Sequence, residues 1–217
     1  MGVLNDTMMM GASAAGGYEI EQSLRFNDDD SAYLSRTPSV AGNRKTWTWS
    51  GWVKRGNLGT AQTLFASRVT PEDTIRFDAA DNLTFYIYNA GYVGRLNTSA
   101  LFRDASAFYH ITCVWDSANA TSSDRMRLYV NGSRVTAFST AAYPVLDAVS
   151  FINGAQEHSI GQNDAGGEYL DGYLAEVNFI DGQALTPADF GETGTYGEWK
   201  PLRYTGAYGT NGFYLDF

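Results

Sequence analysis

Glu168-Tyr169-Leu170-Asp171-Gly172-Tyr173-Leu174-Ala175-Glu176-Val177-Asn178-Phe179-Ile180-Asp181-Gly182-Gln183-Ala184-Leu185-Thr186-Pro187-Ala188-Asp189-Phe190-Gly191 is the stretch that decides the architecture. Its first half alternates. Leu170, Gly172, Leu174 and Glu176 share one face of an extended strand, and Tyr169, Asp171, Tyr173, Ala175 and Val177 share the other. The alternation breaks after Asp181-Gly182. Thr186 then stands as a helix N-cap, with Pro187 at the first helical position and Asp189 in the first turn. The stretch therefore predicts a strand, a tight turn and one short helical turn.

Similar short runs lie upstream. Trp47-Thr48-Trp49-Ser50-Gly51-Trp52-Val53-Lys54 places Trp47, Trp49, Gly51 and Val53 on one face and Thr48, Ser50 and Trp52 on the other. Trp47 and Trp49 are expected in the core. Trp52 either stacks on a sugar or is turned inward by a bulge, and packing is the favoured reading. Leu64–Ser67, Thr74–Phe77, Leu83–Tyr88 and 93–101 read as short strands about ten residues apart, punctuated by Asp81-Asn82 and Asn89-Ala90-Gly91. Phe108 to Asp116 is another strand. Met126-Arg127-Leu128-Tyr129-Val130 leads into Asn131-Gly132, a type I′ hairpin turn in which both residues tolerate positive φ.

These pieces, in this order, resemble the concanavalin A-like (laminin G and pentraxin-like) lectin fold. The resemblance is carried by Gly172 to Phe190, by Thr48 to Lys54, by His110-Ile111 through Asp116, and by Leu128-Tyr129-Val130-Asn131-Gly132. It implies an all-β jelly-roll sandwich of two antiparallel sheets, with the first strand (Leu24–Phe26) beside the last (213–217). It covers nearly the whole chain after about Tyr18, which gives a flexible N-terminal arm over 1–17 and one lectin domain over 18–217. The start at Ser23-Leu24-Arg25-Phe26-Asn27, the Trp47–Arg55 strand and the tail from Trp199 also resemble lectin-like proteins of bacteriophage virions. That likeness implies a virion surface location, as tail fibre, spike or capsid decoration.

Composition agrees with an all-β chain. Aromatics make up 14%, Gly numbers 23 and charged residues are only 18% of 217 residues, which suits many half-buried strands joined by tight turns. Net charge is 15 minus 24, or −9, and no basic patch appears, which argues against nucleic-acid binding. No run of 18 apolar residues is present, so no membrane-spanning helix is expected. Cys113 is the one cysteine, so no internal disulfide is possible. The N-terminal residues lack the basic start of a secretion signal, and none is expected. Two readings of the Met8-Met9-Met10 segment stand: a solvated tail, or an arm that orders on a neighbouring subunit.

No catalytic residue is expected. Glucanases of this fold carry a Glu-x-Asp-x-x-Glu or Glu-x-Asp-x-Glu run, and glycoside hydrolysis needs two facing carboxylates. No such run exists here, and Glu176 is read as structural. His110 is read as a hydrogen-bonded structural residue. A sugar site needs an aromatic face and a few polar groups at loop ends, which makes Asn89, Tyr92, Asn163, Asp164 and Tyr169 the ligand-binding candidates. The family resemblance implies calcium at loop ends, for which Asp164 and Asp171 are the weak candidates. The Asp28-Asp29-Asp30 run also invites calcium, though an Asp-rich turn without metal is the commoner case. The expected function is a non-enzymatic virion surface protein that binds a host glycan and joins other virion proteins through its arm. A homo-oligomer is expected, with a trimer as the guess by analogy to phage fibres. The alternatives are a purely structural decoration protein and, less favoured, a polysaccharide depolymerase.

Overall fold

The computed structural model describes residues 17–68, 72–163 and 166–217. Its strands, in chain order, are β1 (Leu24–Phe26), β2 (Leu34–Arg36), β3 (Thr46–Arg55), β4 (Gln62–Ser67), β5 (Thr74–Phe77), β6 (Asn82–Tyr88), β7 (Tyr92–Leu101) and β8 (Tyr109–Asp116). They continue as β9 (Met126–Val130), β10 (Ser133–Arg134), β11 (Phe138–Ala142), β12 (His158–Ile160), β13 (Gly172–Asp181), β14 (Gly191–Thr193), β15 (Trp199–Pro201) and β16 (Phe213–Leu215). The first sheet runs β1-β13-β3-β8-β9-β10, with β16 also on β13. The second runs β11-β7-β6-β5-β4-β12-β2, and β14 with β15 makes a separate ribbon. The two large sheets form the expected antiparallel jelly-roll sandwich.

The inner faces follow the alternation. Trp47, Trp49 and Val53 of β3 and Ile111, Cys113 and Trp115 of β8 meet Phe65, Ile75, Phe77, Phe85 and Ile87 of the second sheet in one core. Burying a large apolar side chain stabilises by roughly 1.5–3 kcal/mol, and here no disulfide assists. The Asn131-Gly132 turn has φ of 47° and 76°, as a type I′ hairpin requires. The turn after β13 is a single 3-10 turn, Pro187–Asp189, whose Asp189 carboxylate accepts the Thr186 backbone N–H at 2.9 Å.

Three expectations change. Pairing of β13 with β3 slips between Ala175 and Asn178, and Glu176 takes φ of 50°. This bulge inserts one residue, so Val177 and Phe179 continue the inward row begun by Leu174, while Glu176 leaves it. Strict alternation had put Val177 on the other face. Next, β1 and β16 share the first sheet but do not pair. Each lies on the same strand: Leu24 opposite Leu174, and Leu215 opposite Val177, on either side of the bulge. Finally, Trp52 is buried without any bulge in β3, because a third layer covers it from outside.

The sheets are tied at one rim by a buried ion pair. Arg55 at the end of β3 donates to Asp81 at 2.9 Å and to the Phe102 carbonyl at 2.8 Å. Burial pushes the Asp81 carboxyl upward, but the Gly59 N–H, Arg103 and Arg55 outweigh it and hold the pKa down at about 2. At the opposite kind of rim, between β2 and β16, the sandwich leaves an apolar hollow of about 410 Å³ walled by Leu34, Phe65, Ile160, Phe179 and Phe213.

Candidate functional site

The outer face of the first sheet is covered. The segment from Gln183 onward folds back across it. Trp199 of β15 donates its indole N–H to His110 Nδ1 at 2.9 Å, and His110 Nε2 lies 2.8 Å from Ser50 Oγ. The Trp52 ring sits 5.0 Å from the same imidazole. An indole N–H only donates, so Nδ1 is the acceptor and the proton of the neutral ring is on Nε2, pointing at Ser50. That is the wrong tautomer for taking a proton from a serine. Burial also drives the His110 pKa down to about 3. The Ser50–His110 pair is therefore a neutral hydrogen bond, and His110 is bonded at both ring nitrogens.

The outer face of the second sheet is polar and partly open: Thr84 and Tyr86 are buried in it, Arg76, Arg95 and Asn97 are half-buried and Tyr92 is exposed. Alternation along β5, β6 and β7 puts Arg76, Thr84, Tyr86, Arg95 and Asn97 outward, in pairs set by the ladder: Arg76 opposite Thr84, Tyr86 opposite Arg95 and Thr84 opposite Asn97. Glu168 reaches in from the loop before β13. Arg76 Nη1 donates to both of its carboxylate oxygens, at 2.6 and 2.8 Å. The Arg76 guanidinium also lies 5.3 Å from the Tyr86 ring, and Tyr86 donates its hydroxyl to Glu72 at 2.6 Å. Burial first, and then Glu72, push the Tyr86 pKa upward, so the hydroxyl stays a donor. Beyond it the Tyr92 ring stands on edge to Tyr86 and Tyr88, at 5.5 and 5.2 Å, and is 51% exposed. Arg95 packs 4.7 Å from the Tyr92 ring. Thr84 donates to Asn97 Oδ1 at 2.7 Å, which turns the amide nitrogen away from Thr84.

The ligand-binding candidates from the sequence divide. Asn89 and Tyr92 belong to the β6–β7 hairpin tip, at one end of this face. Tyr169 accepts a hydrogen bond from Gln162 at 2.8 Å within the loop that supplies Glu168. Asn163 is 9% exposed, and its Oδ1 is taken by the Gly167 N–H at 2.8 Å, so this side chain closes the loop. Asp164 lies outside the described residues. Asp171 is not on this face. It sits against Gly56, and burial followed by the charges of the Asp28-Asp29 turn raises its pKa. Among the described residues, no three His, Cys, Asp or Glu groups stand together as a metal set. Arg76, Tyr86, Arg95 and Asn97 were missed. Their outward positions on three successive alternating strands, β5, β6 and β7, were the available signal.

A second hollow, of about 590 Å³, lies on the outer side of the bulge. Tyr18 and Tyr214 each donate to Glu176 Oε1 at 2.7 Å. Burial, together with the neighbouring Glu176, raises both tyrosine pKa values. Glu19, Glu21 and Asp216 add negative charge and Arg203 one positive charge to its wall. The residues involved come from both ends of the described chain, and the bonds to Glu176 tie those ends down.

The family model of the concanavalin A-like lectin/glucanases superfamily matches residues 26–190. The chain belongs to this superfamily. Its laminin G-like fold is shared with domains LG4-5 of the mouse laminin α1 chain (TM-score 0.52, 12% identity, covering 99% of this chain and 52% of that one). It is also shared with a native heptameric SAP-like pentraxin from Limulus polyphemus (0.51, 19%, covering 71% of each chain). A third is the enzymatically active domain of tailspike protein 2 of bacteriophage CBA120 (0.51, 16%, covering 77% of this chain and 26% of that one). The chain thus spans about a quarter of the tailspike domain. Identities this low show the fold alone. None of the curated protein sequences compared matches the chain.

Proposed function

We propose that the chain is a non-catalytic carbohydrate-recognition domain carried on the surface of a bacteriophage virion. The observation that carries the recognition part is the open outer face of the second sheet. There an exposed Tyr92 ring stands beside Arg95 and Asn97 on a rigid ladder, inside a lectin-type fold. The neutral Ser50–His110 pair and the absence of a glucanase carboxylate run support a domain without hydrolytic chemistry. The virion part rests on the sequence resemblance of the Trp47–Arg55 strand and the tail from Trp199. In this reading residues 1–17 attach the domain to other virion proteins, the assembly is a homo-oligomer with three copies as the starting expectation, and calcium is dispensable.

A glycan array probed with the full chain, with and without EDTA, tests the recognition part. Binding that survives EDTA and is lost in Tyr92→Ala is the expected result. No binding to any glycan would leave a purely structural decoration protein. Release of reducing ends from a host polysaccharide would make the chain a depolymerase. Co-purification of the full chain, but not of a chain lacking residues 1–17, with phage particles is the expected result for the virion part.

A further inference from the structure

The two arginines on the central strands of the open face are treated in opposite ways. Arg76 is neutralised where it stands, by the two oxygens of Glu168. Arg95 has no such partner. Among the described residues no hydrogen bond or ion pair engages its guanidinium; the buried Nε of both arginines lacks an acceptor, but only Arg76 has a carboxylate on its Nη1. The Arg95 guanidinium lies over the Tyr92 ring, 4.7 Å from its centre. The terminal nitrogens of Arg95 are thus the ones left to donate, and a guanidinium fork is shaped to be satisfied by an oxyanion.

The surroundings suit a sugar. Asn97 is two residues along the same strand, hence on the same face. Its Oδ1 is held by Thr84, so its Nδ2 is the end left to donate. Beside them the edge strand β11 presents only Ala142 opposite Arg95 and Thr140 opposite Asn97, both exposed. These small side chains leave the floor low. The half-exposed Tyr92 ring supplies an apolar wall for a pyranose face.

We infer that the ligand of this face is an anionic saccharide, its acid group taken by Arg95, its ring laid against Tyr92 and a neighbouring hydroxyl bonded by Asn97. This rests on the carbohydrate reading above. The acid is a carboxylate or a sulfate on the sugar, which share the oxyanion chemistry that Arg95 selects. The chain's net charge of −9 repels anions at long range, but at physiological ionic strength charges beyond about 8 Å are screened while a contact pair persists.

The test is calorimetric titration of the full chain with a galacturonate trisaccharide, a sialylated trisaccharide, a sulfated disaccharide and a neutral galactose trisaccharide. The expected result is at least tenfold tighter binding of one acidic probe than of the neutral one. In Arg95→Gln that preference disappears, and Arg95→Lys restores part of it. Thermal unfolding of each variant checks that the fold is intact. Equal binding of acidic and neutral probes, or an acidic preference unchanged in Arg95→Gln, overturns the inference while the carbohydrate reading stands. Failure to bind any saccharide here or on the array overturns both.

Discussion

The two outer faces of the sandwich are built from the same alternation and end in opposite states. On the first sheet the outward row of Thr48, Ser50, Trp52, His110 and Val114 is buried beneath the segment that carries Phe190 and Trp199. On the second, Tyr86 is buried, Arg76, Arg95 and Asn97 of the outward row stay half-exposed, and the loop of Glu168 reaches in on Arg76. On the covered face the histidine is held uncharged and bonded at both ring nitrogens, and the charges there include the half-buried pair Arg127 and Asp116, 3.7 Å apart. The open face keeps charges and leaves one guanidinium unanswered. A sandwich with two solvated faces has no preferred side. Covering one of them leaves the other as the face for the recognition proposed above.

The comparison breaks most visibly at Trp52. Trp52→Ala removes a large buried ring from the covered face, and a loss of about 3–5 kcal/mol is expected in urea unfolding. A loss below 1 kcal/mol would mean that the third layer is not packed as described.

Acid acts on the buried histidines, His110 on the covered face and His158 on β12 of the second sheet. The His110 pKa falls from about 6.5 unfolded to about 3 folded, and that of His158 falls to about 4, in both cases through burial. The folded state therefore resists protonation, and both contributions are complete above pH 6.5. They decline as the pH falls through the unfolded value toward the folded one, by at most about 1.4 kcal/mol per pH unit for each histidine. Unfolding midpoints measured from pH 7 to pH 4 are expected to fall, less steeply in His110→Gln. A flat profile would place His110 in water.

Gly132 has φ of 76°, and a Cβ there would come within 2.5 Å of the Trp199 ring. Gly132→Ala is expected to cost about 1–3 kcal/mol by displacing that ring and straining the turn, with the emission of Trp199 shifting to the red. Tyr92→Ala should be the mildest change to stability, within about 0.5 kcal/mol, while removing saccharide binding. A large loss of stability instead would make Tyr92 a structural residue.

The strands with strong alternation were legible from residues alone: β3, β8 and the β9–β10 hairpin stand where their patterns put them. The bulge was not, because one extra residue at Glu176 leaves composition and spacing unremarkable while inverting every side chain after it. The short ribbon of β14 and β15 was not, since three-residue strands carry too little pattern, and its effect on Trp52 depends on tertiary cover. At the candidate site, Tyr92 was found as an aromatic beside a turn. Arg95 and Asn97 were passed over because an outward arginine on a strand is ordinary until its missing partner is known. Asn163 failed as a ligand group for the converse reason: its oxygen is spent within its own loop.

Glu176 has a bearing on display. It gathers Tyr18 from the start of the described chain and Tyr214 from its end, whose hydroxyls lie 3.1 Å apart, on the side of the sandwich away from Tyr92. The domain therefore has a back and a front. On the proposed reading, a carrier joined near Tyr18 or Tyr214 stands behind the saccharide face, without need of a spacer to turn it around.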